Sequence, residues 1–161
     1  MANDRSDHPV SESSQLLCVR LREQEFALSI RAVREIRGWI SSTPLPHAPS
    51  YVKGMVNLRG SVLAIIDLAE RLGLPGTTAN ATSVVVVIEA GDRVIGLLVD
   101  AVSDIITVTE EMRQVTPETG STISREYIES LIMRDQQIVG VLSIPAIMPK
   151  DPSIEGDLEA A

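Results

Sequence analysis

The chain has 161 residues, enough to bury a core of its own, and its single cysteine, Cys18, excludes an internal disulfide. Its formal net charge of -8 argues against nucleic acid and anionic lipid surfaces as partners, because both would repel it. The longest purely aliphatic run, VVVVI at 84–88, is far too short to cross a bilayer, and the polar N-terminus lacks the apolar segment of a signal peptide, so we expect a cytoplasmic protein.

Five short runs with apolar alternation follow a polar segment, residues 1–14, that we expect to be a disordered tail. Each run predicts a β-strand: LLCVRL (16–21), EFALSI (25–30), VREIRGWI (33–40), GMVNLR (54–59) and SVLAIID (61–67). Three prolines within residues 43–50 predict an extended loop. Asp67 and Glu70 then predict the N-cap and capping box of a short helix, and Gly73 is placed to end it.

The second half of the chain repeats this order after a linker at 73–83. With a shift of 69 residues, 18–36 lies over 87–105, and with a shift of 76 residues, 51–72 lies over 127–148. Chance similarity between aliphatic strands is the alternative, but the shared order of five strands and a terminal helix favours a duplication. The helix cap recurs as Ser143, with Pro145 in the first turn.

Each repeat has about 65 residues and five short strands, which is small enough to close as a barrel. The sequence therefore predicts two fused five-stranded barrels. We expect the first at about 15–78 and the second at about 83–149, followed by an acidic, disordered tail at 150–161.

Residues that could carry catalysis are few. His8 lies in the N-terminal tail and His47 in the proline loop, with no acid or nucleophile at a familiar spacing. One cysteine and two distant histidines cannot form a zinc site, and no glycine-rich phosphate motif follows a strand. Asp67 and Asp100 lie near strand ends and leave a small acidic hydrolase as an alternative, although a helix cap and a turn explain them. We expect no catalytic residue, no metal and no cofactor.

The two repeats differ in the hairpin that joins their last two strands, where NLRG in the first is replaced by MRDQ in the second. Glu35 lies over Asp104, and Arg59 lies over Asp135. If these positions are neighbours, the first repeat has an ion pair and the second a like-charge pair. An arginine beside an apolar β surface suits protein recognition, because it gives directional hydrogen bonds and its stem covers apolar area. A solvated turn residue is the alternative for Arg59.

Four segments resemble the CheW family, the coupling proteins of bacterial chemotaxis: VREIRG (33–38), YVKGMVNLRG (51–60), IIDL (65–68) and GLLVDAVSDI (96–105). They stand in the family order, and the likeness runs from about residue 16 to residue 149. The resemblance implies a mainly all-β fold of two SH3-like five-stranded barrels, related by an internal pseudo-two-fold axis around a shared hydrophobic core, with short terminal helices.

The resemblance also implies a non-catalytic adaptor in arrays at the inner face of the membrane. Such an adaptor couples the cytoplasmic tip of a methyl-accepting chemotaxis receptor to the regulatory C-terminal domain of the histidine kinase CheA. An adaptor of another chemosensory system, such as one controlling pili or biofilm, is the alternative. The small acidic hydrolase remains the alternative from a different functional class, that of enzymes.

The resemblance further implies which residues bind. A receptor helix would dock in a groove between the barrels, at positions that match those of the family: Val33, Gly54, Arg59, Val62, Val84, Val102 and Ile105. Three further positions match kinase-binding or receptor-binding residues: Glu35, Lys53 and Asn57. The kinase contact is expected on the outer face of the first barrel, including the loop at 43–50. Departures from the family pattern gather in the hairpin of the second barrel: Ser130, Asp135, Gln136, Gln137 and Ser143.

Overall fold

Short β-strands make up most of the chain that the computed structural model describes, namely residues 15–39, 41–74, 83–114 and 125–149. The tails predicted at 1–14 and 150–161, and most of the linker at 73–83, lie outside these described residues. No helix in the described part is long and apolar enough to span a membrane.

The described residues contain eleven strands and two helices of about one turn, together with short 3-10 turns. The strands are β1 (Gln15–Leu21), β2 (Gln24–Ser29), β3 (Val33–Gly38), β4 (Val52–Leu58), β5 (Ser61–Asp67), β6 (Val84–Ala90), β7 (Arg93–Val99), β8 (Ala101–Thr107), β9 (Arg113–Gln114), β10 (Ile128–Arg134) and β11 (Gln137–Leu142). The helices are α1 (Leu68–Arg71) and α2 (Ile144–Ile147). All five strands predicted for the first repeat are present, with bounds that differ by a few residues.

The strands form two sheets, ordered β8-β1-β2-β11-β10-β9 and β3-β6-β7-β5-β4. Exchanging each strand for its counterpart in the other repeat converts one order into the other, with β9 as the one addition. The counterparts are β1 and β6, β2 and β7, β3 and β8, β4 and β10, and β5 and β11. The parallel pairs also correspond, since β2 meets β11 in one sheet and β7 meets β5 in the other. The sheet order therefore confirms the internal pseudo-two-fold relation.

Each sheet takes strands from both halves of the chain, which differs from the continuous barrels predicted at 15–78 and 83–149. The hairpin β1–β2 joins strands of the second half, whereas β6–β7 completes the sheet of β3, β4 and β5. Strands β1 and β6 each have four consecutive buried residues, and each has a neighbour from the other repeat on one edge. Apolar alternation predicts that a segment is a strand, but it does not specify the strand that pairs with it.

Successive residues of a strand point to opposite faces, so alternate side chains enter different hydrophobic clusters. In β5, Leu63 and Ile65 pack within the five-stranded sheet, whereas Ala64 and Ile66 face a cluster shared with the other sheet. The shared cluster contains residues from both repeats, including Leu17, Phe26, Leu97, Leu142 and Ile147. In the same way, alternate residues from 85 to 88 enter clusters on opposite faces of β6, so every one of them is buried. A shared core makes the two sheets one packed body.

Both helices begin at the predicted caps. The Asp67 carboxylate accepts a hydrogen bond from the Glu70 N–H at 3.2 Å, and Ser143 Oγ accepts one from a main-chain N–H of α2 at 3.4 Å. Gly73 ends α1 with a φ of 92°. The prediction of a full capping box is wrong, because the Glu70 carboxylate does not bond the Asp67 N–H and instead bonds Lys53 Nζ at 2.8 Å. The Asp67 N–H donates to a main-chain carbonyl.

Candidate functional site

The turn between β4 and β5 presents Arg59 at one end of the five-stranded sheet. Arg59 and Gly60 both have a positive φ, of 51° and 89°, a region that glycine adopts without a steric penalty. The Gly60 N–H donates to Asn57 Oδ1 at 3.0 Å. The Asn57 side chain, predicted to bind a partner, therefore also holds the turn that carries Arg59.

The Arg59 guanidinium bonds the Glu35 carboxylate on β3, which confirms the predicted ion pair. Strands β3 and β4 are the two edges of this sheet, so a bond from β3 to the turn after β4 requires the sheet to curl, as in a small barrel. The hydrogen bond from Arg59 lowers the pKa of Glu35, which keeps this carboxyl ionised at neutral pH. The Arg59 side chain remains 68% exposed, so a partner can reach it.

A shallow pocket of about 190 Å³ lies beside the ion pair. Three predicted binding residues line it, namely Glu35, Arg59 and Val62, together with others such as Arg34 and Val94. The pocket thus combines an aliphatic surface with charges of both signs, which suits a protein partner better than a small apolar ligand. We call the residues that line it the Arg59 pocket.

The second repeat has an ion pair at the equivalent place, and this corrects the like-charge pair predicted there. Arg134, the last residue of β10, donates to both carboxylate oxygens of Asp104 on β8, one of them at 3.0 Å, and lies 3.8 Å from Glu25. The guanidinium comes from one position before Asp135, the counterpart of Arg59. A residue-by-residue alignment missed it, because a long arginine side chain reaches the same carboxylate from the neighbouring position.

Cys18 lies next to this second ion pair, with its sulfur 3.5 Å from Arg134 Nη1. The residue is fully buried, and burial raises the pKa of the thiol to about 11. The thiol is therefore protonated at neutral pH and serves as a small core residue, as the sequence predicts.

Three of the positions matched to receptor binding, Val33, Val84 and Val102, are half-buried at the margin of the shared core. Val33 and Val102 are counterparts in the two repeats. Val33 pairs with Ile88 and Val84 with Gly38, at opposite ends of the ladder between β3 and β6. Ile88 and Val84 are four residues apart on β6, so at about 3.4 Å per residue the two valines are roughly 14 Å apart along the ladder. A helix that touched both would run for about three turns.

Gly54 and Lys53 have structural partners within the chain. Gly54 is buried with a φ of 150°, and a Cβ placed on it would lie 2.5 Å from the Thr43 main-chain oxygen. Lys53 is exposed on β4 and bonds Glu70 of α1 at 2.8 Å. This bond, followed by one from Ser50, lowers the pKa of Glu70.

Large apolar side chains are exposed at related positions of the two repeats. Val62 is 41% exposed and its counterpart Ile138 is 61% exposed, while Ile105 is 54% exposed and its counterpart Ile36 is 46% exposed. Val62 and Ile105 are among the predicted binding residues, whereas Ile36 and Ile138 are not. All four are apolar in the sequence, and apolar character alone does not show which side chains of a strand face solvent. Both sheets therefore present aliphatic side chains to solvent.

The two acids considered for catalysis, Asp67 and Asp100, have structural roles. Asp67 is fully buried and caps α1, and Asp100 accepts a hydrogen bond from the Arg22 main-chain N–H at 2.6 Å. Within the described ranges, no group of three or more His, Cys, Asp or Glu residues could hold a metal ion.

A family model of the CheW-like domain matches residues 15–151. The chain belongs to the CheW-like family. A probable chemotaxis protein CheW of Rhizobium etli is 43% identical over 139 residues, which cover 86% of this chain and 90% of that protein. The chemotaxis protein CheW of Rhizobium meliloti is 40% identical over 144 residues, which cover 89% and 93%. The crystal structure of the scaffolding protein TtCheW from Thermoanaerobacter tengcongensis superposes with a TM-score of 0.78 at 25% identity, covering 89% of this chain and 93% of that one.

The segments that suggested the CheW-like family form the features described above. VREIRG is strand β3 and supplies Glu35, while NLRG is the end of β4 and the turn that carries Arg59. IIDL ends β5 and supplies the Asp67 cap. GLLVDAVSDI runs from β7 into β8 and supplies Val102 and Ile105. The motifs therefore combine structural residues with exposed ones.

Proposed function

We propose that this CheW-like chain is a non-catalytic adaptor that couples methyl-accepting chemoreceptors to the histidine kinase CheA in bacterial chemotaxis arrays. The observation that carries the proposal is the CheW-like match over residues 15–151. Relatives named chemotaxis proteins and a solved structure named a scaffolding protein support it. We place the protein in the cytoplasm, recruited to receptor arrays at the inner face of the membrane.

The receptor site is a groove for an amphipathic helix of the receptor tip. Val33 and Val102 are related by the pseudo-two-fold and lie half-buried at the margin of the core shared by both sheets. Aliphatic side chains in such a place receive the apolar face of a helix, and a charged group nearby sets its direction. Arg59 supplies that group, because it is exposed and held by Glu35 and by the turn.

The kinase site is the outer face around the loop at 43–50 and the exposed Lys53. The Thr43 N–H and carbonyl bond the carbonyl and N–H of Met55 at 2.9 and 2.8 Å, so the start of this loop has a fixed place beside β4. A fixed loop loses little conformational freedom when it binds, which favours recognition by a folded domain.

Coupling follows from the shared core. Two binding surfaces on one packed body hold the receptor and the kinase in a set relation, so movement of one partner changes the population of states of the other. The adaptor transmits a signal only if each partner prefers one joint arrangement, because a connector with equal affinity for all states shifts nothing.

The test is co-sedimentation of the full chain with receptor-containing membranes and CheA, with kinase activity as the second readout. We expect both partners to be recovered together and kinase activity to depend on receptor and adaptor. Val33→Lys should abolish receptor recovery and leave kinase recovery unchanged, because it places a charge in a half-buried apolar site. Asp92→Lys, in the exposed turn between β6 and β7, is the control for an added lysine.

Arg59→Ala should weaken recovery of the receptor or the kinase while the fold stays intact, because the side chain is largely exposed. Arg20→Ala, which removes an exposed arginine from β1, is the matched control. Full recovery of both partners by Arg59→Ala would remove Arg59 from the site. Failure of the unaltered chain to co-sediment with either partner would overturn the proposed function.

A further inference from the structure

Arg71, the last residue of α1, joins the two repeats at a place that no sequence motif indicated. Its guanidinium donates through Nη2 and Nε to three successive main-chain carbonyls at the end of α2, those of Ala146, Ile147 and Met148, at 3.2, 3.1 and 3.3 Å. A further hydrogen bond of 3.0 Å runs to the Tyr127 hydroxyl. One side chain from the first repeat thus satisfies the carbonyl end of a helix in the second, where intrahelical donors are lacking.

The same guanidinium lies over two aromatic rings, 4.7 Å from the centroid of Tyr51 and 5.1 Å from that of Tyr127. These tyrosines are counterparts in the two repeats, and each begins the segment that leads to a helix cap. The Tyr51 carbonyl accepts from the Asp67 N–H, and the Tyr127 carbonyl accepts from the Ser143 N–H. Arg71 therefore lies where the two repeats meet, in contact with equivalent residues of both.

The contact is symmetric in position but not in chemistry. The counterpart of Arg71 is Ile147, which is fully buried, and Arg71 Nε donates directly to its carbonyl. A single guanidinium thus provides the hydrogen bonds between the two helices, which two symmetry-related residues would provide in a symmetric dimer. A planar group with several fixed donors is suited to this, since lysine offers neither the fork nor a flat face for stacking.

We propose that Arg71 is a positioning residue that fixes the orientation of one sheet relative to the other, by joining the helix that follows β5 to the helix that follows β11, and thereby determines how strongly receptor binding changes kinase activity. This inference rests on the proposed adaptor function. Arg71 is not in the Arg59 pocket and is not among the positions matched to receptor or kinase binding. Its loss should therefore reduce coupling between the two partners and leave the binding of each unchanged.

The test compares Arg71→Met and Arg71→Lys with the exposed control Arg20→Met in the full chain. Affinity is measured separately for receptor-containing membranes and for the CheA regulatory domain, and receptor-dependent kinase activation is measured with all components. We expect unchanged separate affinities and a loss of activation of about fivefold or more in both Arg71 variants. Hydrogen exchange should accelerate at the amides of Ile147 and Met148, because α2 loses its terminal hydrogen bonds.

A parallel loss of affinity and activation would show a general structural role and overturn the inference, as would full activation in Arg71→Met. Rescue by Arg71→Lys would show that charge alone suffices and would also overturn it. If Arg71→Met does not fold, Tyr127→Phe removes one hydrogen bond and keeps the ring, and it should show the same separation of coupling from affinity. If the unaltered chain does not activate the kinase, the proposed function fails, and unchanged exchange at Met148 would then separately refute the Arg71 contact.

Discussion

Replacing Gly54 with alanine is expected to destabilise the fold, although the sequence resemblance predicts receptor binding at this position. An added Cβ would lie 2.5 Å from the Thr43 oxygen, 2.7 Å from Ser42 Oγ and 2.9 Å from Ser42 Cβ. The first of these is a main-chain atom, which cannot move without breaking the two hydrogen bonds between Thr43 and Met55. The φ of 150° adds backbone strain for any residue with a side chain.

The expected cost is the sum of two effects. Strain at an unfavourable φ costs about 1–3 kcal/mol, and overpacking of a tight site costs about 1–3 kcal/mol. The free energy of unfolding should therefore fall by about 2–6 kcal/mol, which for a chain of this size lowers Tm by about 2–4 °C for each kcal/mol. Thermal melting and urea denaturation measure both quantities.

Two other glycines separate the two effects. Gly60 has a φ of 89° but no heavy atom within 4 Å of an added Cβ, so Gly60→Ala should cost only the strain, about 1–2 kcal/mol. Gly38 has open space and no positive φ, so Gly38→Ala should change stability by less than about 0.5 kcal/mol. An unchanged Tm for Gly54→Ala together with lost receptor recovery would refute this reasoning and show a direct contact at Gly54.

Three further predictions concern helix α1 and Cys18. Asp67→Ala should lower the free energy of unfolding, measured by urea denaturation, by about 0.5–2 kcal/mol, whereas Asp67→Ser should lose much less because Ser143 caps the equivalent helix. Equal losses in the two variants would contradict the cap. Lys53→Met should raise the pKa of Glu70 towards its ordinary value of 4.5, so its cost in stability should be present at neutral pH and should disappear as pH falls from 4.5 through the lowered pKa of Glu70. A cost that persists in acid would exclude this ion pair as its source. The Cys18 thiol should react with a thiol reagent only after unfolding, and rapid labelling of the folded protein would contradict its burial. The free energy of unfolding should fall as pH rises from 9.0 to about 11, because the thiol of the unfolded chain ionises first, and Cys18→Ala should remove this pH dependence.

The duplication explains how one small chain presents two surfaces. Each repeat supplies a hairpin to the sheet of the other, so neither sheet is complete without both repeats. Under the proposed function, the receptor groove and the kinase face are therefore connected through a core that both repeats build. An adaptor made of two independent barrels on a flexible linker would lack this mechanical connection.

The amino-acid sequence alone determined the strands, the helix caps and the repeat. Those features depend on local patterns: apolar alternation in SVLAIID, a capping acid at Asp67, and a glycine at the tight turn after Arg59. Comparison of the two repeats in turn indicated the ion pair of Arg59 with Glu35. The strands, the caps and the turn are local features, because each is satisfied by residues close in the chain or by the face of a single strand.

The tertiary structure decided which residues meet across the repeats. The exchange of hairpins between sheets, the bond from Arg134 to Asp104, and the contact of Arg71 with the end of α2 all join residues far apart in sequence. Long side chains reach the same acceptor from neighbouring positions, and a strand pattern does not identify its partner. These contacts follow from the way the two sheets pack around one core, which no stretch of the sequence contains by itself.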